Sequence, residues 1–128
     1  MSERKKITFD YAIRSSPAIL FSFLTTPEGL IQWFADHVDS VEDDYKFVWD
    51  GSEEEATMLE FIEDHLVKYK MEDSQEGEFL EFRIEKSEIS NDTILFITEF
   101  LEDFDVEDQQ IFWNTQIKRL KGSIGASN

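Results

Sequence analysis

A chain of 128 residues has the size of one domain and can bury roughly two thirds of its unfolded surface around a single core. With 41% hydrophobic residues, twelve phenylalanines among them, it is not a disordered tail. Its formal net charge of −17, from 29 acidic against 12 basic residues, repels nucleic acid and anionic membranes, and the absence of cysteine excludes disulfides, thiolate metal sites and a cysteine nucleophile.

The opening Met1-Ser2-Glu3-Arg4-Lys5-Lys6 has no apolar signal core and no window reaches a transmembrane length, so a cytoplasmic protein without membrane insertion is expected. Residues 6–14 then alternate, with Ile7, Phe9, Tyr11 and Ile13 on one face, which predicts a half-buried strand. Ser16 followed by Pro17 is a helix cap and first residue, opening a short helix over 18–24 that buries Leu20, Phe21 and Leu24. Thr26-Pro27 repeats the signal before a second short helix over 30–35, with Leu30, Trp33 and Phe34 as its apolar face.

From Asp36 the period returns to two. Strands are expected over 38–41, through Tyr45, Phe47 and Trp49 after an Asp43-Asp44 turn, and over 56–62, 66–71, 79–86 and 93–101. Asp50-Gly51 is a two-residue hairpin signal, and Glu63-Asp64, residues 73–77 and Ser90-Asn91-Asp92 are short enough to join antiparallel neighbours.

The longest helix is predicted over 105–124. Asp105 would cap it, Glu107 and Asp108 place negative charge in its first turn, Lys118, Arg119 and Lys121 place positive charge in its last, and Gly122 would supply a left-handed stop. Val106, Trp113, Ile117, Leu120 and Ile124 form its apolar stripe, with Gln109 and Gln116 at the edges. If the two chain ends lie side by side, Arg4, Lys5 and Lys6 would join the late lysines and arginine in one basic patch on an acidic body. One strand, two short helices, six strands and one long helix make an α+β fold. A curved antiparallel sheet of six or seven strands would wrap around the C-terminal helix, with the short helices closing one end.

Ser16-Pro17, the pair Leu20-Phe21, the run Leu24-Thr25-Thr26-Pro27-Glu28-Gly29-Leu30 and Trp33-Phe34 resemble the elbow motif of START-like proteins, the SRPBCC or helix-grip superfamily. Within it the chain looks most like the Aha-type branch, named for activators of a heat-shock chaperone ATPase. Phe47-Val48-Trp49-Asp50-Gly51 and the final helix with Trp113 also fit, so the resemblance covers nearly all of residues 1–128 as one domain. It implies a helix-grip fold whose sheet and long helix enclose a cavity. Members bind lipids, polyketides, hormones or other hydrophobic ligands; some are enzymes, and some are chaperone partners. The elbow carries packing roles only: Ser16 caps the first helix, and Trp33 and Phe34 wedge it against the sheet. The chain departs from many relatives in its short connections and its acidity, which leave less wall for a large ligand.

His37 beside Asp36 and His65 beside Asp64 could be written as acid–base partners or metal ligands, but neither pair has the spacing of a ligand set. No phosphate loop or nucleophile elbow is present, and acidic runs such as Glu53-Glu54-Glu55 read as solvated edges. No metal, cofactor or catalytic residue is therefore expected, although proton transfer in a cavity would need only one tuned carboxylate.

The aromatics allow two readings. They could form a solid core, or they could line an apolar pocket in which Tyr45, Tyr69, Gln109 and Gln116 orient a small hydrophobic ligand among Phe47, Trp49, Phe82, Phe96, Trp113 and Ile117. Ile111 and Phe112, off the main helix stripe, are candidates for a seam with a protein partner or a second copy. A ligand-binding module and a protein-interaction module are thus the two leading functions, ahead of an enzyme.

Overall fold

A computed structural model of the chain describes residues 4–90 and 92–125; Met1 to Glu3 and Asn91, which figure in the sequence reading, lie outside the described residues. The first strand, β1 (Arg4–Ile13), is followed by two short helices, α1 (Pro17–Thr25) and α2 (Pro27–Leu30). Six strands come next: β2 (His37–Val41), β3 (Asp44–Trp49), β4 (Ser52–Ile62), β5 (Leu66–Met71), β6 (Leu80–Lys86) and β7 (Thr93–Glu102). A single 3₁₀ turn, Asp103–Asp105, leads into the long helix α3 (Val106–Ile124). The strands form one curved antiparallel sheet in the order β1-β7-β6-β5-β4-β3-β2. This is the α+β helix-grip architecture expected from the pattern.

Local chemistry accounts for the elbow. Ser16 accepts from Ile19 N at 3.2 Å and Thr26 accepts from Gly29 N at 3.0 Å, so each helix is capped by the hydroxyl preceding its proline. α2 stops at Leu30 rather than filling 30–35, and turns carry the chain on to bury Trp33 and Phe34. Gly29 is needed where the two helices meet, because a Cβ there would lie 2.3 Å from the Ser22 carbonyl oxygen. Asp50 and Gly51 both have positive φ, 49° and 85°, as a twisted two-residue hairpin requires. The β2–β3 turn falls on Glu42-Asp43, with Glu42 at φ 56°, one residue earlier than expected.

α3 buries Trp113, Gln116, Ile117 and Leu120 against the elbow and the inner sheet face. Each large apolar side chain there contributes at most about 1.5–3 kcal/mol. Both ends of the helix differ from expectation. Asp105 is already helical, at φ −96° and ψ −11° within the 3₁₀ turn, so its side chain makes no cap. Gly122 lies inside the helix, and the left-handed stop is Gly125 at φ 78°. The basic patch does not form. Arg4 pairs with Glu78 and Lys5 with Asp103 at the start of α3, whereas Lys118 lies about 18 Å further along the axis by helical rise.

Candidate functional site

The inner face of the sheet is mostly filled. Phe47, Tyr69, Phe82 and Trp33 are buried and meet ring to ring, with Phe82 5.7 Å from Trp33 and Tyr69 6.0 Å from Phe47. The hydroxyl of Tyr45 donates to Thr25 O at 2.6 Å and that of Tyr69 to Leu24 O at 2.7 Å, satisfying carbonyls at the end of α1. Burial pushes both hydroxyls above their ordinary pKa, Tyr69 furthest. The amide of Gln116 donates to Trp33 O at 2.7 Å and to Phe34 O at 3.3 Å. Tyr45, Tyr69 and Gln116 thus fasten the elbow, and Ile117 packs beside them.

A space remains open beside this packing. A cleft of about 340 Å³ lies between the first half of α3 and the sheet, near the loop joining β5 to β6. Phe34, Trp49, Met71, Leu80, Phe112 and Trp113 supply its apolar wall. Trp49 is held by its indole N–H, which donates to Phe34 O, and Phe34 stacks on Trp113 at 6.0 Å. Of the residues singled out in the sequence, Trp49, Gln109 and Trp113 line this cleft, while Tyr45, Phe47, Tyr69, Phe82, Gln116 and Ile117 belong to the packed core. Phe112, read as a seam residue, stands in the cleft wall with its ring 5.1 Å from Trp113, and Ile111 is exposed. Phe96 points to the outer sheet face, where the Arg83 guanidinium lies 4.3 Å from its ring centroid; Leu95 and Ile97 take the inner positions.

The polar part of the cleft is mainly carboxylate, and Glu54, expected in a solvated edge, is half-buried in its lining. Glu99, on β7, accepts from Trp113 Nε1 at 2.5 Å and from Gln109 Nε2 at 3.3 Å. Burial pushes its pKa up, against the pull of those two hydrogen bonds and of Arg4. Glu54, on β4, is pushed up by burial, by the charges of Asp73 and Glu72, and by a hydrogen bond with Asp73. Glu78 goes the other way: Arg4 Nε donates to it at 2.8 Å and holds it below the carboxylate range. The second arm of Arg4 donates to Phe100 O at 3.0 Å.

An acid held above its ordinary pKa beside an apolar wall can keep or accept a proton, which is the one chemical step this lining offers. Among the described residues no group of three histidines, cysteines or acids is placed to hold a metal ion. His37 is exposed, and His65 is exposed with Nδ1 3.0 Å from Ile84 O.

The fold has counterparts elsewhere. The family model for the START-like superfamily domain matches residues 1–126. The chain belongs to the START-like superfamily. Among solved structures, this START-like domain is similar to BfR322 from Bacteroides fragilis, with 27% identity over 96% of this chain and 92% of that one and a TM-score of 0.67. It is also similar to the Aha1 dimer from Colwellia psychrerythraea, with 22% identity, 94% and 96% coverage and a TM-score of 0.77. MLL2253 from Mesorhizobium loti shares 14% identity over 92% and 95%, with a TM-score of 0.75. A search of curated proteins returns no match. Among the described residues no helix of this START-like domain is long and apolar enough to cross a membrane.

Proposed function

We propose that this chain is a single-domain, non-catalytic binding module of the cytoplasm that holds a small hydrophobic ligand between its sheet and α3. The observation that carries the reading is the cleft of about 340 Å³ in a core otherwise filled by its own aromatics, a volume at the lower end for small-molecule sites. Membership of a superfamily whose fold often serves hydrophobic ligands supports it. Native mass spectrometry on gently purified protein, followed by thermal denaturation with a panel of small apolar compounds, tests it. A ligand at a hundredfold excess over its Kd adds about 2.7 kcal/mol of stability by mass action. A clean apo mass together with a melting temperature that no compound moves would overturn the reading.

A second reading is a protein-interaction module of Aha type, docking a partner or a second copy through an outer surface. The exposed Ile111 on α3 and the exposed Leu59, Phe61 and Ile62 on β4 favour it, as does the dimeric state named for the Colwellia relative. Sedimentation over a rising concentration series separates the two: self-association abolished by Ile111→Asp or Phe61→Asp would support the second reading.

A further inference from the structure

The cleft is apolar in its walls and negative in its polar groups, and that combination selects a ligand. Glu54, Asp73, Glu78 and Glu99 all line it, against a single lining cation, Arg4. Arg4 is already engaged, its Nε on Glu78 and its other arm on a backbone carbonyl. Among the described residues no lysine, arginine or histidine comes within ion-pair distance of Glu54, Asp73 or Glu99. These acids are set among rings. Glu54 stands in register opposite Phe47 on the inner face of β4, and Glu99 sits against the indole edge of Trp113.

A neutral apolar ligand would bury these carboxylates further without replacing their water, a cost that rises steeply as dielectric falls. An anion would add repulsion. A protonated amine meets the carboxylates with charge-assisted hydrogen bonds and turns its carbon-bound face to Trp49, Phe34 and Phe112, where a cation is also attracted to the ring faces. The net charge of −17 draws such a ligand in from solution and repels its anionic counterparts.

We infer that the ligand of this cleft is a small amphiphilic cation, an apolar or aromatic body carrying one protonated amine, with Glu54, Asp73 and Glu99 as the groups that receive the charge. This rests on the cleft being the binding site, and the experiment keeps the two apart. Three probes of matched shape, 2-phenylethylamine, 2-phenylethanol and phenylacetate, are titrated into the protein. Binding is followed by NMR at the indole N–H signals of Trp49 and Trp113, both of which line the cleft.

The amine is expected to bind at least about tenfold tighter than the alcohol, with phenylacetate weakest and the preference shrinking as salt is raised. In Glu54→Gln/Asp73→Asn, two positions at the half-buried and exposed part of the lining, the preference of amine over alcohol should fall to about threefold or less. Equal binding of amine and alcohol by the wild-type protein overturns the inference and leaves the binding module standing. Tighter binding of the acid overturns it as well. If none of the three probes moves either indole signal, the cleft reading falls and the inference with it.

Discussion

Trp113 is where the helix, the elbow and the sheet come together, and its replacement measures that junction. Its ring is buried, stacks on Phe34 at 6.0 Å, and lies 6.3 Å from Trp33, 6.1 Å from Phe82 and 5.1 Å from Phe112. Burying about 150–250 Å² of aromatic surface contributes roughly 4–6 kcal/mol by area, and large-to-small core replacements cost about 3–5 kcal/mol. The neighbouring cleft lets water reach part of the vacated space, which places Trp113→Ala at about 3–4 kcal/mol. Trp113→Phe keeps a ring against Phe34 and Phe82 but removes the N–H that donates to Glu99. Its loss should be about 1.5–3 kcal/mol, the usual worth of a hydrogen bond to a charged group. Urea denaturation of both variants, read by far-UV circular dichroism, checks the pair. A Trp113→Ala loss below about 1 kcal/mol would refute the docking of α3 as described, and equal losses for the two variants would refute a distinct part for the indole N–H.

Two further predictions concern the elbow and the carboxylates. Gly29→Ala would drive a methyl to 2.3 Å from Ser22 O and 2.5 Å from Phe23 Cα, both backbone atoms, so a destabilisation of about 1–3 kcal/mol is expected by thermal melting; an unchanged melting temperature would contradict the close approach. The two kinds of carboxylate should give opposite pH responses. Glu99 is raised above its ordinary 4.5 by burial, so its contribution to stability is fully present below 4.5 and is lost as pH rises through its folded value. Glu99→Gln, which keeps an acceptor for Trp113, should therefore be more stable than wild type at pH 7, with the advantage closing towards pH 4.5. Glu78 is lowered by Arg4, so its contribution is present above 4.5 and lost as pH falls through its folded value. In Glu78→Gln the deficit should be full at pH 7 and shrink in acid. A Glu99→Gln curve parallel to wild type, or a Glu78→Gln deficit that grows in acid, would contradict these assignments.

The strands were legible because alternation carries their two faces directly. Ile7, Phe9, Tyr11 and Ile13 needed no other information, and Asp50-Gly51 specified its hairpin through positive φ. The helix ends were harder. Asp105 has the side chain of a cap, but it closes the 3₁₀ turn and its backbone is already helical, and Gly122 is passed because the last turn still half-buries Ile124. The cleft was hidden for another reason. In a chain with 29 acids, no local pattern distinguishes four that converge from β4, the β5–β6 loop and β7. A signal did exist on β7, where Thr93, Leu95, Ile97 and Leu101 share the inner parity with Glu99, one acid in an apolar row. The same parity places Phe96 outside, where ring size alone suggested the interior.

The sheet order also bears on how the chain is made. Strands β2 to β7 each pair with the strand before or after them in sequence, so that ladder can assemble as the chain emerges. β1 differs, because its neighbour is β7: Ile13 meets Thr93, 80 positions later. At about 5–20 residues per second, β1 waits roughly 4–16 s on a ribosome with its apolar stripe and both edges unpaired. Lys5 and Lys6 on that strand, with Asp10 between Phe9 and Tyr11, put charge along the waiting edge and discourage another nascent chain from pairing there. The last strand synthesised is thus the one that takes the first into the fold.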